Sequence, residues 1–253
     1  MASKACCTIP PVVSNTDEYT IKGSYSALSE FKTYVTGSTS SKTGVLVIYD
    51  IFGMDFKQTL QGSDIIASSG HLVVMPDLFK GQPMDIGVFP PDTDERRKKL
   101  TDFFATTANP QNNVETVKNL VPALKEAYPS VEKWALVGYC WGGKIVTLLS
   151  QEGTPFAASA QCHPAFLDPE DGKKLTIPHL CIASKDEDPV AVQKFKEVVE
   201  ANEKIRDKSE VVRWEGIFHG FMAARANLKD RENFVYYEKG YKKVVHFLKE
   251  ALA

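Results

Sequence analysis

Val45-Leu46-Val47-Ile48-Tyr49 forms an almost unbroken apolar run that ends at Asp50. A run without polar alternation reads as a strand buried on both faces, which requires a sheet covered by helices and favours parallel pairing. Leu72-Val73-Val74-Met75, closed by Pro76 and Asp77, repeats the pattern, and Trp134-Ala135-Leu136-Val137 is a third central strand. Shorter strands are expected at 156–161, 179–183 and 210–214. Between them lie segments with helical spacing at 56–69, 94–104, 111–127, 144–151, 190–204 and 231–253. Strands alternating with helices predict βαβ units and an α/β fold with a mainly parallel sheet. Two β-like stretches at 18–22 and 30–36 predict an antiparallel pair at its edge. Residues 78–93 form a loop rich in Pro and Gly. No repeat or linker separates two cores, so a single domain over 18–253 is expected, preceded by a flexible arm at 1–17.

The composition bounds the functions open to such a domain. In 253 residues, 43% are hydrophobic and 25% charged, which excludes a disordered or fibrous chain. A net charge of −2 offers no general field for nucleic acid or an anionic membrane. No apolar run reaches the roughly 20 residues of a membrane-spanning helix. Met1 to Pro11 lacks the apolar core of a secretory signal. The five cysteines, Cys6, Cys7, Cys140, Cys162 and Cys181, are odd in number and lack zinc-ligand spacing. Free thiols in the cytoplasm, with no metal and no cofactor, are the expectation.

Gly138-Tyr139-Cys140-Trp141-Gly142-Gly143 carries the chemistry. It follows a buried strand and opens a helix, the context of a nucleophile elbow with Cys in the place of Ser. Glycine at 138 and 142 removes Cβ atoms where backbone segments approach closely. The helix N-terminus favours a thiolate, and a nearby histidine favours it further. The N–H of Trp141 points into the same space and can serve an oxyanion. The partners should follow in the order nucleophile, acid, base. Asp186, Glu187 and Asp188 come after the strand at 179–183, with Asp186 taken as the acid and its two neighbours as alternatives. His219, between a Gly-bearing loop and a helix, is the expected base. His163 ends a strand but precedes the acids, and is expected to be structural or to line the pocket.

These features together resemble the dienelactone hydrolase family. The resemblance rests on the Cys elbow, Asp50-Ile51-Phe52-Gly53, Pro76-Asp77-Leu78 and His219-Gly220-Phe221, and runs from about residue 30 to the C-terminus. It implies an α/β-hydrolase fold and hydrolysis of enol lactones and other small esters by Cys140, His219 and Asp186. It implies the N–H of Ile51 as second oxyanion donor. It also places Asp50, where the family has Glu, near the thiol, and points to Phe221, Arg225 and an arginine of the 94–104 helix, taken as Arg97, as substrate-binding residues. The substrate expected is a small-molecule ester or lactone, handled by a monomer or homodimer without nucleic acid or membrane. The competing functions are a thioesterase or acyltransferase, and a non-catalytic ligand-binding protein on the same fold.

Overall fold

In the computed structural model, which describes residues 10–12 and 19–253, eight strands form one sheet. The strands are β1 (Ser24–Leu28), β2 (Phe31–Thr36), β3 (Thr43–Ile48), β4 (Leu72–Pro76), β5 (Lys133–Tyr139), β6 (Ala158–Cys162), β7 (His179–Ser184) and β8 (Glu210–Trp214). Their order is β1-β2-β4-β3-β5-β6-β7-β8. All pairs from β4 to β8 are parallel, while β1–β2 and β2–β4 are antiparallel. The helices are α1 (Lys57–Ala67), α2 (Asp94–Ala105), α3 (Pro110–Ala127), α4 (Trp141–Leu149), the short α5 (Pro169–Gly172), α6 (Pro189–Ala201) and α7 (Arg231–Leu252). Helices α1 and α7 pack together against the sheet, while α4 packs with α3 and α5, and α5 with α6.

The apolar runs become strands because both of their faces are covered. Every residue of β4 is buried, as are Gly44–Ile48 of β3 and Trp134–Tyr139 of β5. Each fully buried aliphatic side chain there contributes about 1.5–3 kcal/mol. A second, smaller apolar cluster lies at the β7–β8 end, where Phe195 and Val199 of α6 meet Cys181, Ala183 and Val211.

One expectation changes at the N-terminal edge. Residues 19–22 form no strand; the edge strand is Ser24–Leu28, which turns at Ser29 (φ 54°) and pairs Leu28 with Phe31. Four of its five residues are exposed, so no hydrophobic pattern marks it. The expected arm at 1–17, with Cys6 and Cys7, lies outside the described residues except for 10–12. There the Val12 N–H donates to the Ala224 carbonyl (2.9 Å), and Gln58 Nε2 donates to the Val12 carbonyl (3.0 Å).

Parallel register brings the carboxyl ends of the central strands level. Ile48 pairs with Gly138, Tyr139 with Cys162, and Ser184 with Trp214. The residues just beyond these ends, at 50, 140, 163, 186–187 and 219, therefore gather at one edge of the sheet, where ligands bind in open α/β folds.

Candidate active site

Cys140 sits between β5 and α4 with φ 53° and ψ −112°, a left-handed conformation rare for a residue with a side chain. Close packing imposes the turn. A Cβ on Gly142 would stand 2.1 Å from the Ile48 carbonyl oxygen, and one on Gly138 would stand 2.2 Å from that of Gly142. The Cys140 N–H donates to the Cys162 carbonyl (3.1 Å), and the Cys140 carbonyl accepts from Gly143 (3.0 Å) and Ala165 (2.9 Å). The backbone of the elbow is thus tied to β6 and to the first turn of α4. Trp141 opens the helix. Its indole Nε1 donates to the Ala108 carbonyl (2.8 Å), and its ring packs on Phe79 and Tyr49.

Three consecutive acids after β7 have three different partners. Asp186 Oδ2 accepts the backbone N–H of His219 at 2.8 Å. Glu187 Oε1 accepts Nδ1–H of the His219 ring at 2.6 Å, while its other oxygen accepts the Ser184 N–H. Asp188 caps α6, taking the N–H of Val190 (2.8 Å) at its N-terminus. The carboxylate on the imidazole is therefore Glu187, and the expectation of Asp186 is corrected. The chain turns so sharply after Ser184 that Asp186 meets the main chain of the 215–219 loop, and the next, longer side chain reaches its ring.

His219 and Glu187 are both buried. Burial lowers the His219 pKa, but the charge of Cys140 and a hydrogen bond to it, with the contribution of Glu187, outweigh this and raise it to about 10. The arrangement favours a proton on the imidazole and negative charge on the sulfur.

Asp50 is fully buried beyond β3. Its Oδ1 accepts the Phe52 N–H (2.9 Å) and its Oδ2 the Ala224 N–H (3.1 Å). Burial, and then the charge of Cys140, raise its pKa to about 6, while Arg225 and the two amides pull the other way. Asp50 thus lies within electrostatic reach of the sulfur and also clamps two loops. The carbonyl of Asp50 accepts from the Gly53 N–H (3.1 Å), which fixes the peptide whose N–H, that of Ile51, is the second expected oxyanion donor.

Arg225 is buried, its guanidinium 4.7 Å from the centroid of Phe52 and 5.7 Å from that of Phe89. Gly220, at φ +93°, makes room for it, since a Cβ there would stand 2.7 Å from Arg225 Cδ. Phe221 is buried against Trp214 and His163. Arg97 is not brought to this cluster. It is exposed on α2, with Nη1 on the carbonyls of Pro91 (3.3 Å) and Asp92 (2.9 Å) and Nη2 on Asp94 Oδ1 (2.6 Å). Phe52 also lines an open cleft of about 370 Å³, together with Met54, Phe56, Pro83 and Met84.

Among the described residues no group of three or more His, Cys, Asp or Glu side chains could hold a metal, and no helix is long and apolar enough to cross a membrane.

An elbow cysteine, a histidine from the loop after β8 and an acid from the loop after β7, all at the carboxyl edge of this sheet, define an α/β-hydrolase. The chain belongs to the dienelactone hydrolase family, whose model matches residues 31–252. It is 32% identical to an uncharacterised AIM2 family protein of Schizosaccharomyces pombe over 98% of this chain and 99% of that one. It is 26% identical to a carboxymethylenebutenolidase homolog of Xenopus tropicalis over 98% of each chain. The fold is also that of a dienelactone hydrolase-like promiscuous phosphotriesterase from metagenomic libraries (TM-score 0.65, 15% identity, 87% of this chain and 92% of that one). A Pyrococcus furiosus esterase shares it as well (TM-score 0.60, 13% identity, 97% of this chain and 100% of that one).

Proposed function

We propose that this protein is a carboxylic ester hydrolase that cleaves a small ester or lactone through a thioester on Cys140. One observation carries the reading: His219 is held at Nδ1 by Glu187 and coupled to the thiol of a strained elbow cysteine.

The Cys140 sulfur, its proton resting on His219, attacks the carbonyl carbon. The electron pair displaced onto oxygen is met by the N–H groups of Trp141 and Ile51, and losing one such donor typically costs about 10²–10³ in rate. Collapse expels the alkoxide, which takes the proton from His219. A water then gives its proton back to His219 as its oxygen attacks the thioester, and the acid leaves as Cys140 regains its negative charge. Glu187 holds the imidazole in one tautomer and orientation throughout. A thiolate leaves a tetrahedral intermediate more readily than an alkoxide does, so enol lactones and activated esters suit this site better than amides. Cys140, Cys162 and Cys181 carry no disulfide, which suits a cytoplasmic setting.

The test is intact-mass detection of an acyl adduct on Cys140 after mixing with p-nitrophenyl acetate. An adduct that forms and decays with release of acetate supports the reading. Turnover without any adduct in the parent and undiminished in Cys140→Ala overturns it.

A further inference from the structure

His163 follows the last residue of β6 and is fully buried beside the triad, yet the mechanism above gives it no work. Three observations set it apart. Its backbone is left-handed, at φ 39°, an unfavourable conformation for a residue with a side chain. Its main chain is locked there: its N–H donates to the Ile182 carbonyl (2.6 Å), and two residues on, the Ala165 N–H donates to that of Cys140 (2.9 Å). Both of its ring nitrogens are buried without a protein partner. Buried polar atoms left unpaired are unfavourable and uncommon. A phenyl ring would keep the same contacts with the rings of Tyr139 (5.9 Å), Phe221 (5.6 Å) and His219 (5.2 Å) without that penalty. The surroundings thus accept a ring, and the nitrogens are what a phenyl would lack.

We propose that His163 is a substrate-positioning side chain whose imidazole hydrogen-bonds an uncharged oxygen, a hydroxyl or keto group, on the acyl part of the ester bound at Cys140. The inference rests on Cys140 being the nucleophile and deepens that reading by naming a substrate class. The acyl side is indicated because the loop carrying His163 is bonded to the elbow on both sides, through the Cys162 carbonyl and the Ala165 N–H. The oxygen is uncharged because burial, and then the charges of His219 and Arg225, keep this imidazole neutral. A neutral ring offers one donor and one acceptor, the complement of a hydroxyl.

The experiment compares p-nitrophenyl acetate with p-nitrophenyl 2-hydroxypropanoate, following both kcat/KM and the adduct on Cys140. In His163→Phe, kcat/KM for the hydroxy ester is expected to fall about 10- to 100-fold, with acetate within threefold of the parent. His163→Asn, whose amide hydrogen-bonds and tolerates the left-handed backbone, is expected to recover part of the loss. Equal losses on both esters, or no loss on either, overturn the proposal. Should the Phe variant fail to fold, the Asn variant decides: a change of at least threefold in the ratio of the two esters supports the proposal, and an unaltered ratio overturns it. Acylation of parental Cys140 with an unaltered ratio sinks this inference alone. No acylation of the parent by either ester sinks the hydrolase reading and this inference with it.

Discussion

Glu187 Oε1 lies 2.6 Å from Nδ1 of His219, while the adjacent Asp186 holds the backbone N–H of the same histidine at 2.8 Å. One carboxylate orients the ring and the other anchors the residue that bears it. The two should therefore fail differently. Glu187→Gln removes the charge facing the imidazole and is expected to lower kcat by about 10³–10⁴ with the fold intact. Asp186→Asn keeps an acceptor for a main-chain N–H and is expected to cost no more than about tenfold. Steady-state kinetics beside far-UV circular dichroism checks both. If Asp186→Asn proves the more damaging, the assignment of Glu187 is wrong.

Cys140→Ala is expected to lower ester hydrolysis by several orders of magnitude and to abolish labelling by a chloromethyl ketone. Cys140→Ser should keep only weak activity, since a hydroxyl needs a full general base where a thiol ionises more readily. Residual turnover near the parental level in the alanine variant would contradict the mechanism.

Asp50 ionises near pH 6, so above that pH its charge opposes negative charge on Cys140. Asp50→Asn should lower the apparent thiol pKa in the pH dependence of iodoacetamide alkylation. The stability consequence has a definite sign. The folded carboxyl, raised from 3.8 to about 6, holds its proton longer than the unfolded one, so the parent loses stability as pH rises from about 4 to about 6. The loss is about 3 kcal/mol at most. Urea midpoints at pH 4.5 and 7 should show this decrement in the parent and not in the variant. An alkylation profile identical in the two proteins removes any gating role from Asp50.

Arg97 bonds only within its own segment on the surface, so Arg97→Ala should leave kcat/KM within twofold. Arg225→Ala empties a buried position between Asp50 and the rings of Phe52 and Phe89, and should reduce kcat/KM at least tenfold. Parallel kinetics on one ester decides, and a large effect at Arg97 would restore it to the site.

Gly142→Ala should prevent formation of the elbow, because the added methyl meets the Ile48 carbonyl at 2.1 Å and both lie on rigid backbone. The expected result is a loss of several kcal/mol or no folded protein, read from thermal unfolding.

The parts of this molecule legible in the sequence are those that burial alone determines. The runs at 45–49, 72–75 and 134–137 have no way to be satisfied except inside a sheet, and they are its centre. The edge strand Ser24–Leu28 escaped because its side chains face water and no periodicity survives. Helix α4 begins at Trp141, three residues before its expected start, because Gly142-Gly143 reads as a turn. Here the pair opens a helix, and the glycine at 142 serves the crossing of α4 over β3. At the site, the elbow and His219 follow from local pattern and chain order. The acid did not. Asp188-Pro189 is a helix-start signature that could have removed Asp188. Choosing between Asp186 and Glu187 depends on how the chain turns after Ser184, which residue types alone do not record. His163 is legible only as structural or pocket-lining; its two unpartnered nitrogens appear only in three dimensions.

The site is drawn from strand ends far apart along the chain: Asp50 reaches the N–H of Ala224 across 174 residues of sequence. Loops of that length close slowly, and the parallel pairings that close them cannot nucleate locally. During synthesis Cys140 emerges well before His219, and until β8 docks it lacks the imidazole held by Glu187. The nascent protein therefore carries an ordinary cysteine, and the activated thiol appears only with the last strand. Fast alkylation of Cys140 is in that sense a clock for the completion of folding, and a chain stalled short of β8 would alkylate only at the rate of an ordinary thiol.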